Sequence, residues 1–134
     1  MGKEKLIVTV EMASDGSFSC YIEDDSKDFG AVGMGKTSEE AIDSFRESCR
    51  LMSEEYRNEG KPLPEYDFEY KYDLRSFFDY FNCFNTKKIA EMSGINYAQL
   101  NQYLTGRRNA GRMQYEKIAG CIRKITQELQ VATF

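Results

Sequence analysis

The chain has no histidine and no tryptophan among its 134 residues, only two prolines, and no apolar run longer than the three residues Leu6-Ile7-Val8. Lack of histidine removes the commonest general base, together with the Ser-His and Cys-His nucleophile pairs, so no enzyme is expected. The four cysteines, Cys20, Cys49, Cys83 and Cys121, lie far apart with no CxxC pair. With no histidine to join them, neither a zinc site nor any other metal or cofactor is expected. Each cysteine sits among periodic apolar residues, as a small buried hydrophobe does in a reducing compartment. Nothing approaches the roughly 18 consecutive apolar residues of a membrane span. The opening MGKEKLIVTVEMAS lacks a signal peptide's long apolar segment and cleavage site, so a cytoplasmic protein is expected. Leu6 stands where a myristoylated Gly2 requires Ser or Thr.

What is present fits one ordinary domain or two small ones: 41% hydrophobic and 13% aromatic residues. The net charge of −4 conceals an asymmetry. Residues 1–72 hold 9 Lys and Arg against 17 Asp and Glu, and residues 73–134 hold 9 against 5. Halves of −8 and +4 suit partners of opposite sign, and a basic C-terminal half can face nucleic acid.

Periodicity divides the chain at the same place. Leu6, Val8, Val10 and Met12 alternate with polar or outward positions, Ser14-Asp15-Gly16-Ser17 supplies a turn, and Phe18, Cys20 and Ile22 alternate again, which predicts a β-hairpin. Residues 29–35 read as a short, glycine-broken strand. From Thr37 the spacing changes to Ala41, Ile42, Phe45, Cys49, Met52 and Tyr56 on one helical face, ending at Glu59-Gly60-Lys61-Pro62. Tyr66, Phe68, Tyr70 and Tyr72 alternate with Asp67, Glu69 and Lys71 as a fourth strand. The expected N-terminal unit is β-β-β-α-β over residues 1–72, followed by an all-helical unit over 73–134; the fold class is α+β.

Gly30, Gly35, Lys36 and Thr37 spell the nucleotide-binding P-loop. A P-loop needs a buried strand before its first glycine, so that backbone amides converge on phosphate. Here Glu23, Asp24, Asp25 and Asp28 precede it and repel a triphosphate. Thr37-Ser38-Glu39-Glu40 reads instead as a capping box, with Thr37 accepting the amide of residue 40 and Glu40 reaching back to the amide of residue 37.

The element order, the stretch GMGKTSEEAIDSFRES and the helix exit EGKPLPE resemble the N-terminal domain of HicB-type antitoxins across residues 4–72. The resemblance implies a partial RNase H-like fold that binds a small HicA-type ribonuclease toxin. The Pro-Asp-hydrophobic-Pro-Gly segment usual in that family before the helix is replaced by DDSKDFGAVGMG.

In the second half Leu74, Phe77, Phe78 and Phe81 form an apolar stripe read as core. Ala90, Gly94 and Leu100 then follow the spacing of a helix-turn-helix, with Ile95 and Leu104 turned toward the same core. Together with LTGRRNAGR and the amphipathic MQYEKIAGCIRKITQEL, residues 73–129 resemble phage-repressor-type helix-turn-helix domains. With Leu100 and Leu104 facing inward, Ala98, Asn101 and Gln102 fall on the outward face of the second helix, Tyr97 on its first turn and Gln99 at the margin. Asn and Gln can contact base edges, and an Ala methyl can meet that of thymine. Asn96 is the expected N-cap. Thr86, Lys87, Lys88, Arg107, Arg108 and Arg112 surround this face as expected phosphate contacts, which fix register without reading sequence.

These features lead to an antitoxin-like regulator that binds double-stranded operator DNA and, through its acidic half, a HicA-type toxin. Two half-sites call for at least a homodimer, with the sheet edges, the last helix and the tail LQVATF as candidate surfaces. Two other classes stay open: a solitary transcription factor whose N-terminal domain dimerises or senses a ligand, and a metal-dependent nuclease built on Asp24, Asp25 and Asp28.

Overall fold

The computed structural model describes residues 3–24, 29–62 and 65–134. Among them are four strands and five helices: β1 (Glu4–Met12), β2 (Phe18–Ile22), β3 (Val32–Gly35), α1 (Ser38–Asn58), β4 (Tyr66–Tyr72), α2 (Leu74–Tyr80), α3 (Thr86–Ser93), α4 (Tyr97–Leu104) and α5 (Arg112–Val131). The protein is of mixed α+β class. Asp25 and Asp28, two of the three aspartates of the nuclease reading, lie outside the described residues.

Two compact units divide the chain, residues 1–77 and 78–134. The division falls five residues beyond the change of period because the first residues of α2 are tied to the sheet. The Ser76 hydroxyl accepts the Met12 amide at 2.9 Å, and it donates to the Asp73 carboxylate at 2.8 Å. The Phe77 ring stands edge-on to Tyr72, 5.3 Å between centroids.

In the first unit the strand order is β3-β2-β1-β4. β1 and β2 form the hairpin, closed by Gly16 at φ 87° and by Asp15, whose carboxylate accepts both the Ser17 amide and hydroxyl. A left-handed residue at such a turn favours glycine. β3 runs antiparallel to β2, and β4 runs parallel to β1. Parallel pairing of β1 with β4 needs a long crossover, which α1 supplies.

Period-2 alternation decides what α1 covers. Leu6, Val8 and Val10 of β1 and Phe18 and Cys20 of β2 are buried, and Ala41 and Phe45 of α1 share one core with Val8, Val10, Phe18 and Cys20. Phe45 meets Phe68 and Tyr70 of β4 edge-on at 5.2 and 6.1 Å. Such pairs contribute about 0.5–1.5 kcal/mol beyond area burial. The strand expected over 29–35 begins only at Val32, although Phe29 and Ala31 are buried ahead of it. Gly33 and Gly35 face α1, and a Cβ on Gly33 would lie 2.2 Å from the Ala41 carbonyl oxygen and 2.4 Å from the Phe45 amide nitrogen. The helix therefore rests directly on the backbone of β3.

The cysteines divide. Cys20 and Cys121 are buried, Cys49 is half-buried and Cys83 is exposed, which corrects the expectation of four buried thiols. Burial pushes Cys20 and Cys49 up to about 11. Among the described residues no helix is long and apolar enough to cross a membrane, and no group of three or more metal-ligating side chains gathers.

Candidate nucleic-acid interface

The second unit is built on α3, α4 and α5. Asn85, absent from the expected site, caps α3 by accepting the Lys88 amide at 3.2 Å. Its signal was an Asn one residue before an apolar-periodic stretch. Gly94 ends α3 at φ 71°, a left-handed conformation that favours glycine. The Ile95 amide then bonds the Ala90 carbonyl at 2.9 Å and the Gly94 amide bonds that of Glu91 at 3.2 Å, which ties off the last turn. Two residues later Asn96 caps α4 by accepting the Ala98 amide at 2.8 Å. A helix, a one-glycine turn and a second helix thus follow from caps written into the sequence.

Burial orients α4. Leu100 is 0% exposed and Tyr103 8%, and Ile89, Ala90, Ile95, Ile118 and Cys121 of the same unit are buried too. Leu104, expected beside Leu100 as an anchor, is half-buried, and Tyr103 takes the place assigned to it. Residues 103 and 104 lie on either side of the Leu100 direction, about 60° and about 40° from it, and the larger Tyr103 ring is the one that is buried.

Tyr97 is exposed at the first turn of α4, Ala98 and Asn101 are exposed away from the Leu100 side, and Gln102, likewise turned away from it, is half-buried. Gln99 is half-buried, and its side-chain amide donates to the Tyr103 hydroxyl at 2.8 Å. That bond uses one of the two amide hydrogens and ties the side chain to the next turn of the helix, while the second hydrogen and the carbonyl oxygen are left for other partners.

Among the expected phosphate contacts Lys87 and Lys88 are exposed and Thr86 is half-buried. Lys88 stands 3.6 Å from Glu91 in an exposed pair, of the kind worth little to stability. Beyond α4 the chain turns at Gly106, φ 78°, and the Arg107 and Arg108 amides both bond the Gln102 carbonyl, at 2.9 and 3.2 Å. Both arginines are exposed, and neither has an ion-pair partner among the described residues. Arg112 is exposed on the first turn of α5.

Electrostatics at the helix starts are uniform. None of α3, α4 or α5 carries an acidic residue in its first turn. Asn85 and Asn96 each satisfy one amide at the starts of α3 and α4, α5 has no side-chain cap, and no negative charge opposes the positive end of any of the three dipoles. Comparison with protein-family models, curated proteins and solved structures gave no match.

Proposed function

We propose that the protein is an antitoxin-like transcriptional regulator whose second unit binds duplex DNA through α4. The observation that carries this reading is the two-sidedness of α4: buried Leu100 and Tyr103 hold the helix while Tyr97, Ala98 and Asn101 stay exposed, with Gln102 beside them. The major groove admits one α-helix, and side chains of these types suit base edges and the thymine methyl. Arg107, Arg108 and Arg112, with Lys87 and Lys88 at the start of α3, supply positive charge for phosphates on either side. The caps and the glycine turn between α3 and α4 agree with the helix-turn-helix spacing read from the sequence.

The first unit, by its resemblance to HicB-type antitoxins and its charge of −8 over residues 1–72, binds a small basic protein of the HicA ribonuclease type. Its outer sheet face carries the exposed Ile7, Tyr21, Val32 and Met34. Copurification from the native host tests this: a small basic ribonuclease should accompany the chain, and its absence favours a solitary transcription factor. Selection from a random duplex library tests the DNA reading. Enrichment of two half-sites about one helical turn apart is the expected result, and a library that stays random overturns it.

A further inference from the structure

Two strands form the edges of the sheet, and they are treated differently. At the β3 edge the Met34 amide donates to the Ser44 hydroxyl of α1 at 3.1 Å, and just beyond the strand the Lys36 amide donates to Glu40 at 2.8 Å. At the other edge stands β4, with no further strand beside it among the described residues. Its seven residues, YDFEYKY, alternate aromatic and charged side chains. The Asp73 amide bonds the Val10 carbonyl at 2.8 Å across the ladder to β1. Alternation along a strand then turns the amides and carbonyls of Phe68, Tyr70 and Tyr72 toward the outer side. α1 lies over β3 and β2 more than over the rest of the sheet, and all four aromatic residues of β4 remain half-buried. A long edge of this kind is a template for another strand.

We propose that β4 pairs with β4 of a second copy of this chain, antiparallel about a two-fold axis at Tyr70, so that two four-stranded sheets become one. The strand's own charge order selects the partner and the register. About Tyr70, each Glu69 stands opposite Lys71 of the second copy at a position without cross-strand hydrogen bonds, where side chains approach most closely. On the other face Phe68 meets Tyr72 and Tyr70 meets its own counterpart, which prolongs the aromatic row. The neighbouring register, centred on Glu69, sets that carboxylate against itself, and like charges directly opposite are unfavourable. The contact is isologous, as a closed dimer requires. It extends the expectation of a dimer by naming the surface, and it does not depend on the duplex reading, because its test contains no DNA.

The test is the solution mass of the full chain by light scattering, with circular dichroism confirming that each variant is folded. Wild type is expected at twice the 15.5 kDa chain mass. Glu69→Lys, which opposes two lysines, is expected at the monomer mass. Lys71→Glu is made in a Glu23→Gln background, because Lys71 Nζ lies 3.9 Å from the Glu23 carboxylate; it is also expected to be monomeric. Combining Glu69→Lys and Lys71→Glu in that background restores the attraction and should restore the dimer. Leu129→Glu, on the exposed end of α5, should leave the dimer intact. A monomeric wild type, a dimeric Glu69→Lys, a combined variant that stays monomeric, or a Leu129→Glu monomer each overturns the proposal.

Discussion

The two units begin their helices in opposite ways. In the first, α1 is closed from within: the Thr37 hydroxyl accepts the Glu40 amide at 3.1 Å, the Glu40 carboxylate accepts the Lys36 amide at 2.8 Å, and Glu39 adds a second negative charge to the first turn. In the second, α3 and α4 are capped by neutral asparagines, α5 has no side-chain cap at all, and no carboxylate stands in any of their first turns. A helix start is a ready-made anion site in both units. One unit places its own carboxylates at that site, and the other places only neutral caps or none. The P-loop spelling at Gly35-Lys36-Thr37 therefore marks the start least able to hold a phosphate.

Several substitutions test this contrast, beginning with the largest effect. Leu100→Ala removes the residue that holds α4 and should destabilise the protein by about 2–5 kcal/mol in urea denaturation, with loss of duplex binding. Retention of both would mean that α4 is held by something other than its buried side. Gln102→Ala should weaken binding by about 1–3 kcal/mol at one base position, read by scanning single-base changes in a selected duplex. Arg112→Ala, by contrast, should weaken all duplexes alike and flatten the salt dependence. Equal profiles for the two would dissolve the distinction between reading and positioning.

Thr37→Ala should cost about 0.5–2 kcal/mol through the lost cap of α1. Ala98→Glu carries the device of α1 into α4: it should raise thermal stability by about 0.3–1 kcal/mol through the helix dipole while duplex binding falls. A variant that gained no stability yet still bound would break the comparison. The smallest perturbation is chemical. In mildly alkaline buffer a thiol reagent should label the exposed Cys83 first, and the buried Cys20, pushed up to about 11, only on unfolding, as mass spectrometry of timed samples can read.

Much of this was legible in the sequence because it rests on local rules. The capping residue Thr37 and the hairpin turn are short-range devices, and the structure has them where the spacing put them. One detail differs: Glu40 returns to the Lys36 amide and not to that of residue 37. Features that depend on distant residues were not legible. That β4 lies parallel beside β1 is fixed by the crossover of α1, which no local spacing encodes. The extension of the first unit to Phe77 depends on Ser76 meeting Met12, 64 residues earlier. Tyr103 as an anchor and Gln99 as its hydrogen-bond partner depend on how α4 turns against the core, where two neighbouring positions compete for one inward direction.

Close contact between α1 and β3 has a consequence for how the chain tolerates change. At Gly33 and Gly35 even a methyl group acts as a wedge under the helix, whereas one on Gly30 meets nothing within 4 Å. A saturation library should therefore be strict at 33 and 35 and permissive at 30. A phosphate-cradling loop would demand glycine at its first position too, so that profile separates two explanations for the same few letters.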